Sequence, residues 1–228
     1  MKHRTVKRRY KAKKVFFILF FIIMLLFAIR FIFDFFQLSG QVASTDYGWN
    51  LILVNQDYRI PKDYDMELTE LSNGQSVDSR IYPTLQQMFD DMRAQGIYPI
   101  VASGYRTAKK QQELMDEKVE SFISQGYSRS EAKTEAPKWV AAVGYSEHQT
   151  GLAIDINADG VKSTGQQVYD WLADNAWRYG FILRYPEDKT NLTHTDYEPW
   201  HYRYVGTDAA AEIYEQRFCL EEYIGTLD

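Results

Sequence analysis

Ser146-Glu147-His148-Gln149-Thr150-Gly151-Leu152-Ala153-Ile154-Asp155 is the stretch on which the reading of this chain turns. A polar loop carrying a histidine passes through Gly151 into the apolar residues Leu152-Ala153-Ile154, and one carboxylate interrupts the run before Ile156 resumes it. The length and content are those of a buried strand over Gly151 to Asn157, closed by Asp159-Gly160. An acid inside such a strand is costly to bury unless a charge partner or a metal ion takes it up. Taken singly, His148 also reads as a solvated loop residue, and Asp155 as part of a turn or of an ion pair with a nearby arginine. A second fragment, Glu198-Pro199-Trp200-His201, sets an acid three residues before another imidazole. Two histidines and an aspartate form a sufficient ligand set for a catalytic zinc with a fourth position open to water, with Glu198 then available as general base. Alone, Glu198 is equally a surface acid.

Around this strand the apolar spacing divides into further elements. Pro83 to Gln95 places Leu85, Met88, Phe89 and Met92 on one helical face, with proline in the first turn and Gly96 just past the end. Tyr98 to Ala102 reads as a strand that leads into Ser103-Gly104-Tyr105-Arg106, after which Thr107 is the N-cap of a helix carrying Gln111 and Gln112. Arg106 therefore stands at a strand-to-helix junction. Ser128 to Val140 is helical as far as Pro137 permits. Gly165 to Tyr179 is a helix stopped by Gly180, Phe181 to Arg184 and Trp200 to Val205 are strands, and Asp208 to Phe218 is a closing helix. Helices and strands mixed without regular alternation indicate an α+β class.

The 228 residues hold one cysteine, Cys219, which excludes an internal disulfide and any cysteine-rich metal site. Charge is divided unevenly. Residues 1–14 contain eight Lys or Arg and no acid, leaving the other 214 residues with 18 basic against 31 acidic side chains, a net of −13. So acidic a body does not release counterions from a phosphate backbone, and nucleic acid is excluded as a partner. Behind the basic tail, Val15 to Phe33 is apolar at every position except Arg30. At 1.5 Å per residue such a helix is about 28 Å long, the thickness of a bilayer's hydrocarbon core. The expected organisation is a basic cytoplasmic tail (1–14), a transmembrane anchor (15–36), a polar stalk (37–50) and a domain over 51–228 outside the cytoplasm, the basic side remaining within. A cleaved signal peptide shares the basic and apolar parts, but Leu38-Ser39-Gly40 and Gln41-Val42-Ala43 lack the paired small residues of a cleavage site.

The segment Ser146 to Asp155, with Glu198-Pro199-Trp200-His201 and the earlier Ser103-Gly104-Tyr105-Arg106, closely resembles the VanY-type D-alanyl-D-alanine carboxypeptidases. These belong to a larger group of zinc peptidases that includes the lysostaphin-like enzymes and the hedgehog fold. The resemblance extends from Leu51 to Gly206 and implies a D-Ala-D-Ala-peptidase-like α+β domain. It makes His148, Asp155 and His201 the ligands of Zn2+ and Glu198 the general base. It directs Arg106 at the substrate's terminal carboxylate and sets Gln112 and Ser146 near the substrate. A guanidinium suits that role because its planar fork grips a carboxylate through two hydrogen bonds, which lysine does not. His194 is not a ligand position in the pattern and reads as a loop residue.

The implied reaction is removal of the C-terminal D-Ala from peptidoglycan stem peptides outside the membrane. Two alternatives remain: an L,D-carboxypeptidase acting on tetrapeptide stems, and an inactive peptidoglycan-binding module. The presence of Glu198 argues against the module, which has no use for a general base.

Overall fold

Alternation along one strand places the site. Eight strands lie between residues 41 and 204: β1 (Gln41–Val42), β2 (Tyr58–Arg59), β3 (Leu68–Glu70), β4 (Ser76–Asp78), β5 (Pro99–Ser103), β6 (Ala153–Ala158), β7 (Phe181–Leu183) and β8 (His201–Tyr204). The last four form an antiparallel sheet in the order β5-β6-β8-β7. On β6, Ile154 and Ile156 are fully buried in the main core, so Asp155 between them faces the opposite side of the sheet. The computed structural model describes residues 40–227 together with Phe20, Ile22–Leu25 and Phe27.

The helices are α1 (Tyr82–Ala94), α2 (Ala108–Ser124), α3 (Arg129–Glu135), α4 (Gly165–Asn175), the single turn α5 (Thr190–Thr193), α6 (Thr207–Gln216) and α7 (Leu220–Ile224). Leu85, Met88, Phe89 and Met92 of α1, with Val168 and Leu172 of α4, cover the core face of the sheet. A second cluster joins Ile182 and Val205 to α6 and α7. The hairpin of α2 and α3 has a small apolar centre of its own, built on Val119, Phe122, Ala132 and Ala136.

Most elements fall where the apolar spacing puts them. Thr107 caps α2, its hydroxyl accepting from Lys110 N at 3.1 Å. At Pro137 the helix following Ser128 gives way to a 3-10 turn, as a residue without an N–H requires. The helix expected over Gly165 to Tyr179 is α-helical only to Asn175 and finishes as a 3-10 turn, Ala176–Tyr179, which Gly180 stops at φ 80°, where an added Cβ would meet the Tyr204 ring at 2.8 Å. The short hairpin of β3 and β4 and the final helix α7 are too short to show a period in the sequence.

The start of the domain needs correcting. The folded unit begins at Gln41, not at Leu51, so residues 41–50 are not a free stalk. β1 pairs in parallel with β2, Ala43 is buried, the Trp49 ring stacks on Tyr204 with centroids 5.7 Å apart, and the Asn50 side-chain amide donates to the Val205 carbonyl. Polar composition read as a linker, whereas what orders the segment is contact with residues far along the chain. Among the described residues no helix is long and apolar enough to cross a membrane. The basic tail (1–14) and the anchor (15–36) lie, apart from the few positions named, outside the described residues.

Candidate metal centre

Strand register assembles the centre. Asp155 on β6 pairs with Ser103 of β5 on one side and with His201 of β8 on the other. His148 arrives from a 3-10 turn, Glu147–Thr150, that ends at Gly151 with φ 72°. Only glycine fits there, since a Cβ would stand 2.9 Å from Asp78 N. The turn is tied to the β5 edge by Arg106 N donating to the His148 carbonyl at 3.0 Å.

Ligand atoms of His148, Asp155 and His201 all lie within 4.8 Å of one another. His148 Nε2 is 3.4 Å and His201 Nδ1 3.1 Å from the same oxygen, Asp155 Oδ1. Two ligand atoms about 2.1 Å from one tetrahedral ion stand about 3.4 Å apart, so these separations and this nitrogen-and-oxygen set fit zinc. The two rings are perpendicular, with centroids 4.9 Å apart. His148 Nδ1 meets the Gly104 carbonyl at 2.8 Å, which leaves Nε2 toward the cluster.

Electrostatics follow from burial and close partners. Burial raises Asp155's pKa, but the facing imidazoles outweigh it and hold the carboxyl well below its usual range. Burial, helped by the charges of His201 and Arg106, lowers His148 against the pull of Asp155, whereas in His201 the neighbouring Asp155 and Glu147 overcome burial and raise the pKa to about 9. Glu198 hangs over the cluster from the segment between β7 and β8, its Oε2 3.6 Å from His201 Nδ1. Burial, partly opposed by His201, pushes its pKa up and brings it nearer the range of a working general base.

These groups share one cleft of about 310 Å³, lined also by Arg106, Ser146 and Tyr185. Arg106 reaches in with Nη2 on Asp155 Oδ2 and Nε on Ser103 Oγ, both at 2.9 Å. The ion pair weighed for Asp155 thus exists alongside the metal cluster. His194 is exposed, with its carbonyl accepting from Gln56 at 3.2 Å, and stays outside the cluster.

One expected site residue, Gln112, does not line the cleft. Gln112 sits on the outer face of α2 and donates to Asp116 at 2.9 Å. Its neighbour Gln111, turned by about 100° of helix, is buried, lines the cleft and donates to the Ala141 carbonyl at 2.7 Å, leaving its Oε1 without a partner. Helical position relative to Leu114, which also lines the cleft, was the available signal. Glu147, next to His148, is buried behind the cluster, which its place beside a loop histidine does not reveal. The signal for it is the pair Arg184 and Arg203, placed by the sequence in the strand stretches Phe181 to Arg184 and Trp200 to Val205, since each needs an anion when buried.

The model of the VanY family, D-alanyl-D-alanine carboxypeptidase, matches residues 74–207. The chain belongs to this family. It is 61% identical over 188 residues to a D-alanyl-D-alanine carboxypeptidase of Enterococcus faecalis, spanning 82% of this chain and 70% of that one. Among solved structures, VanYB in complex with D-alanine-D-alanine is 60% identical, with a TM-score of 0.76 over 79% of this chain and 99% of that one. A mutant of the vancomycin resistance D,D-pentapeptidase VanY from the VanB-type cassette, in complex with Zn(II), is likewise 60% identical, with a TM-score of 0.75 over 77% of this chain and 99% of its own. The fold is that of the α+β zinc peptidases.

Proposed function

We propose that this VanY-family chain is a zinc D,D-carboxypeptidase that removes the C-terminal D-Ala from peptidoglycan stem peptides. Carrying that reading is the register that pairs Asp155 with His201 and brings both within reach of His148 on the floor of one cleft. His148 Nε2, Asp155 Oδ1 and His201 Nδ1 would hold the ion. Bound there, zinc supplies Lewis acidity toward a peptide carbonyl and makes a water easier to deprotonate. Glu198 takes the proton of the attacking water and returns it to the departing amine. Arg106 receives the terminal carboxylate on the guanidinium edge not engaged by Asp155 and Ser103, a contact available only to a substrate with a free C-terminus. Ser146 lines the same cleft beside His148, and Gln111 takes the place first given to Gln112.

The basic tail over 1–14 and the apolar stretch from Val15 to Phe33 support an anchor over 15–36 that leaves the folded domain outside the cytoplasm, where stem peptides are found.

The decisive assay incubates the purified chain with pentapeptide and tetrapeptide stems, with and without a chelator, and follows product mass. Loss of one D-Ala from the pentapeptide, abolished by chelator and restored by zinc, is the expected result. Cleavage of the tetrapeptide alone would move the assignment to an L,D-carboxypeptidase, and zinc binding without any cleavage would move it to a binding module. In the same assay Gln111→Ala is expected to lower kcat/KM about 10-fold, the worth of one hydrogen bond, while Gln112→Ala leaves it unchanged. Equal effects would return Gln112 to the site.

A further inference from the structure

His201 turns only one of its ring nitrogens to the metal cluster. Nδ1 faces Asp155 and Glu198, whereas Nε2 lies on the far side, 3.6 Å from Glu147 Oε2. Both of these far-side atoms are buried without a hydrogen-bond partner, a condition shared by only two other side-chain atoms among the described residues. They face each other, and a closing motion of about 0.5 Å brings them within hydrogen-bond length.

Glu147 is held so that its Oε2 is left for this contact. Its Oε1 accepts from Arg184 Nε and from Arg203 Nη1, each at 2.8 Å. Those arginines are themselves fixed: Arg184 forks onto Glu221 at 2.9 and 2.6 Å, and Arg203 Nη2 donates to the carbonyls of Asn50 and Ile52. Glu147, Arg184 and Arg203 are essentially inaccessible to solvent. The network lies behind the metal cluster and does not reach into it.

We propose that Glu147 is the positioning residue of His201: its Oε2 receives the Nε2–H, which fixes the ring with Nδ1 turned toward Asp155 and offered to the metal. The proposal rests on the reading of His201 as a metal ligand. It gives the two histidines opposite arrangements, with His148 oriented by the neutral Gly104 carbonyl and His201 by a carboxylate. A carboxylate behind a ligating imidazole fixes the ring and raises its basicity, and losing such a partner weakens metal binding about 10–100-fold.

The test uses the full chain labelled with 15N-histidine and loaded with 113Cd as a magnetic probe for the zinc site. Expected are metal coupling to His201 Nδ1 and His148 Nε2, and a downfield, slowly exchanging proton on His201 Nε2. In Glu147→Gln that proton should move upfield and exchange faster, with zinc affinity in a chelator competition reduced about 10–100-fold and helix content unchanged. Coupling of the metal to His201 Nε2, an Nε2 proton exchanging at the solvent rate, or a folded Glu147→Gln with unaltered proton and zinc affinity would each overturn the proposal. If that variant does not fold, the wild-type spectrum decides by the first two criteria. Absence of any coupling to His201 would instead overturn the metal assignment, and this proposal with it.

Discussion

Glu198→Ala is expected to lower kcat on a pentapeptide stem by a factor of about 10²–10⁴, the usual contribution of a positioned general base, while the protein still binds zinc. The expectation follows from where the carboxylate stands. Its Oε2 is 3.6 Å from His201 Nδ1, close enough to share the reacting water, yet the three-residue cluster forms without it. Burial raises its pKa, so the group accepts a proton more readily than an exposed glutamate and can hand it on to the amine. Removing it takes away proton movement and leaves the ligand set intact. Metal content by elemental analysis, read beside kcat, separates the two contributions. Retained turnover would remove Glu198 from the mechanism, and loss of zinc together with turnover would make it a ligand. Glu198→Gln, which preserves shape and loses the base, should behave as the alanine variant does.

The chemistry of this site was readable before the fold because one residue breaks a local rule and the others join it in a family pattern. Asp155 interrupts an apolar strand, and a burial cost of that kind announces a partner. His148, Glu198 and His201 gained meaning only in company, since none is unusual alone. What spacing did not carry was orientation. Gln111 and Gln112 are adjacent and chemically identical, and the choice between them depends on which side of α2 packs toward the cleft. Nor did local composition reveal that residues 41–50 are ordered, because their partners, Arg59, Tyr204 and Val205, are distant in sequence. Glu147 was hidden for a related reason: a glutamate beside a loop histidine looks solvated until Arg184 and Arg203 are seen converging on it.

That convergence carries the second large expectation, a loss of stability of about 3–5 kcal/mol in Arg184→Ala, the usual cost of removing one partner from a buried ion pair. Arg184 is fully buried and joins Glu147 on one edge to Glu221 on the other. Taking it out leaves Glu147 with one arginine, Arg203, beside the His201 ring, and Glu221 with only the Asn55 amide at 3.1 Å. Domains of this size are stable by about 5–15 kcal/mol, so the variant should sit close to its unfolding threshold. Urea unfolding of the zinc-free protein, followed by tryptophan fluorescence, gives the difference without a contribution from metal binding. An exposed pair makes the control: Arg93 and Asp90 meet at 2.6 Å on α1, and Arg93→Ala should stay within about 0.5 kcal/mol of wild type. The gap should also depend on pH. Burial raises Glu221's pKa, but Arg184's charge and the hydrogen bonds from Arg184 and Asn55 outweigh it, so its folded value lies below the unfolded one. Such a group adds stability above its unfolded pKa of about 4.3 and loses it as pH falls through the folded value. The difference between wild type and Arg184→Ala should therefore be largest near neutrality and narrow in acid. A gap that stayed constant from neutral pH into acid would mean that Arg184 stabilises the fold by filling space and not by neutralising the carboxylates around it.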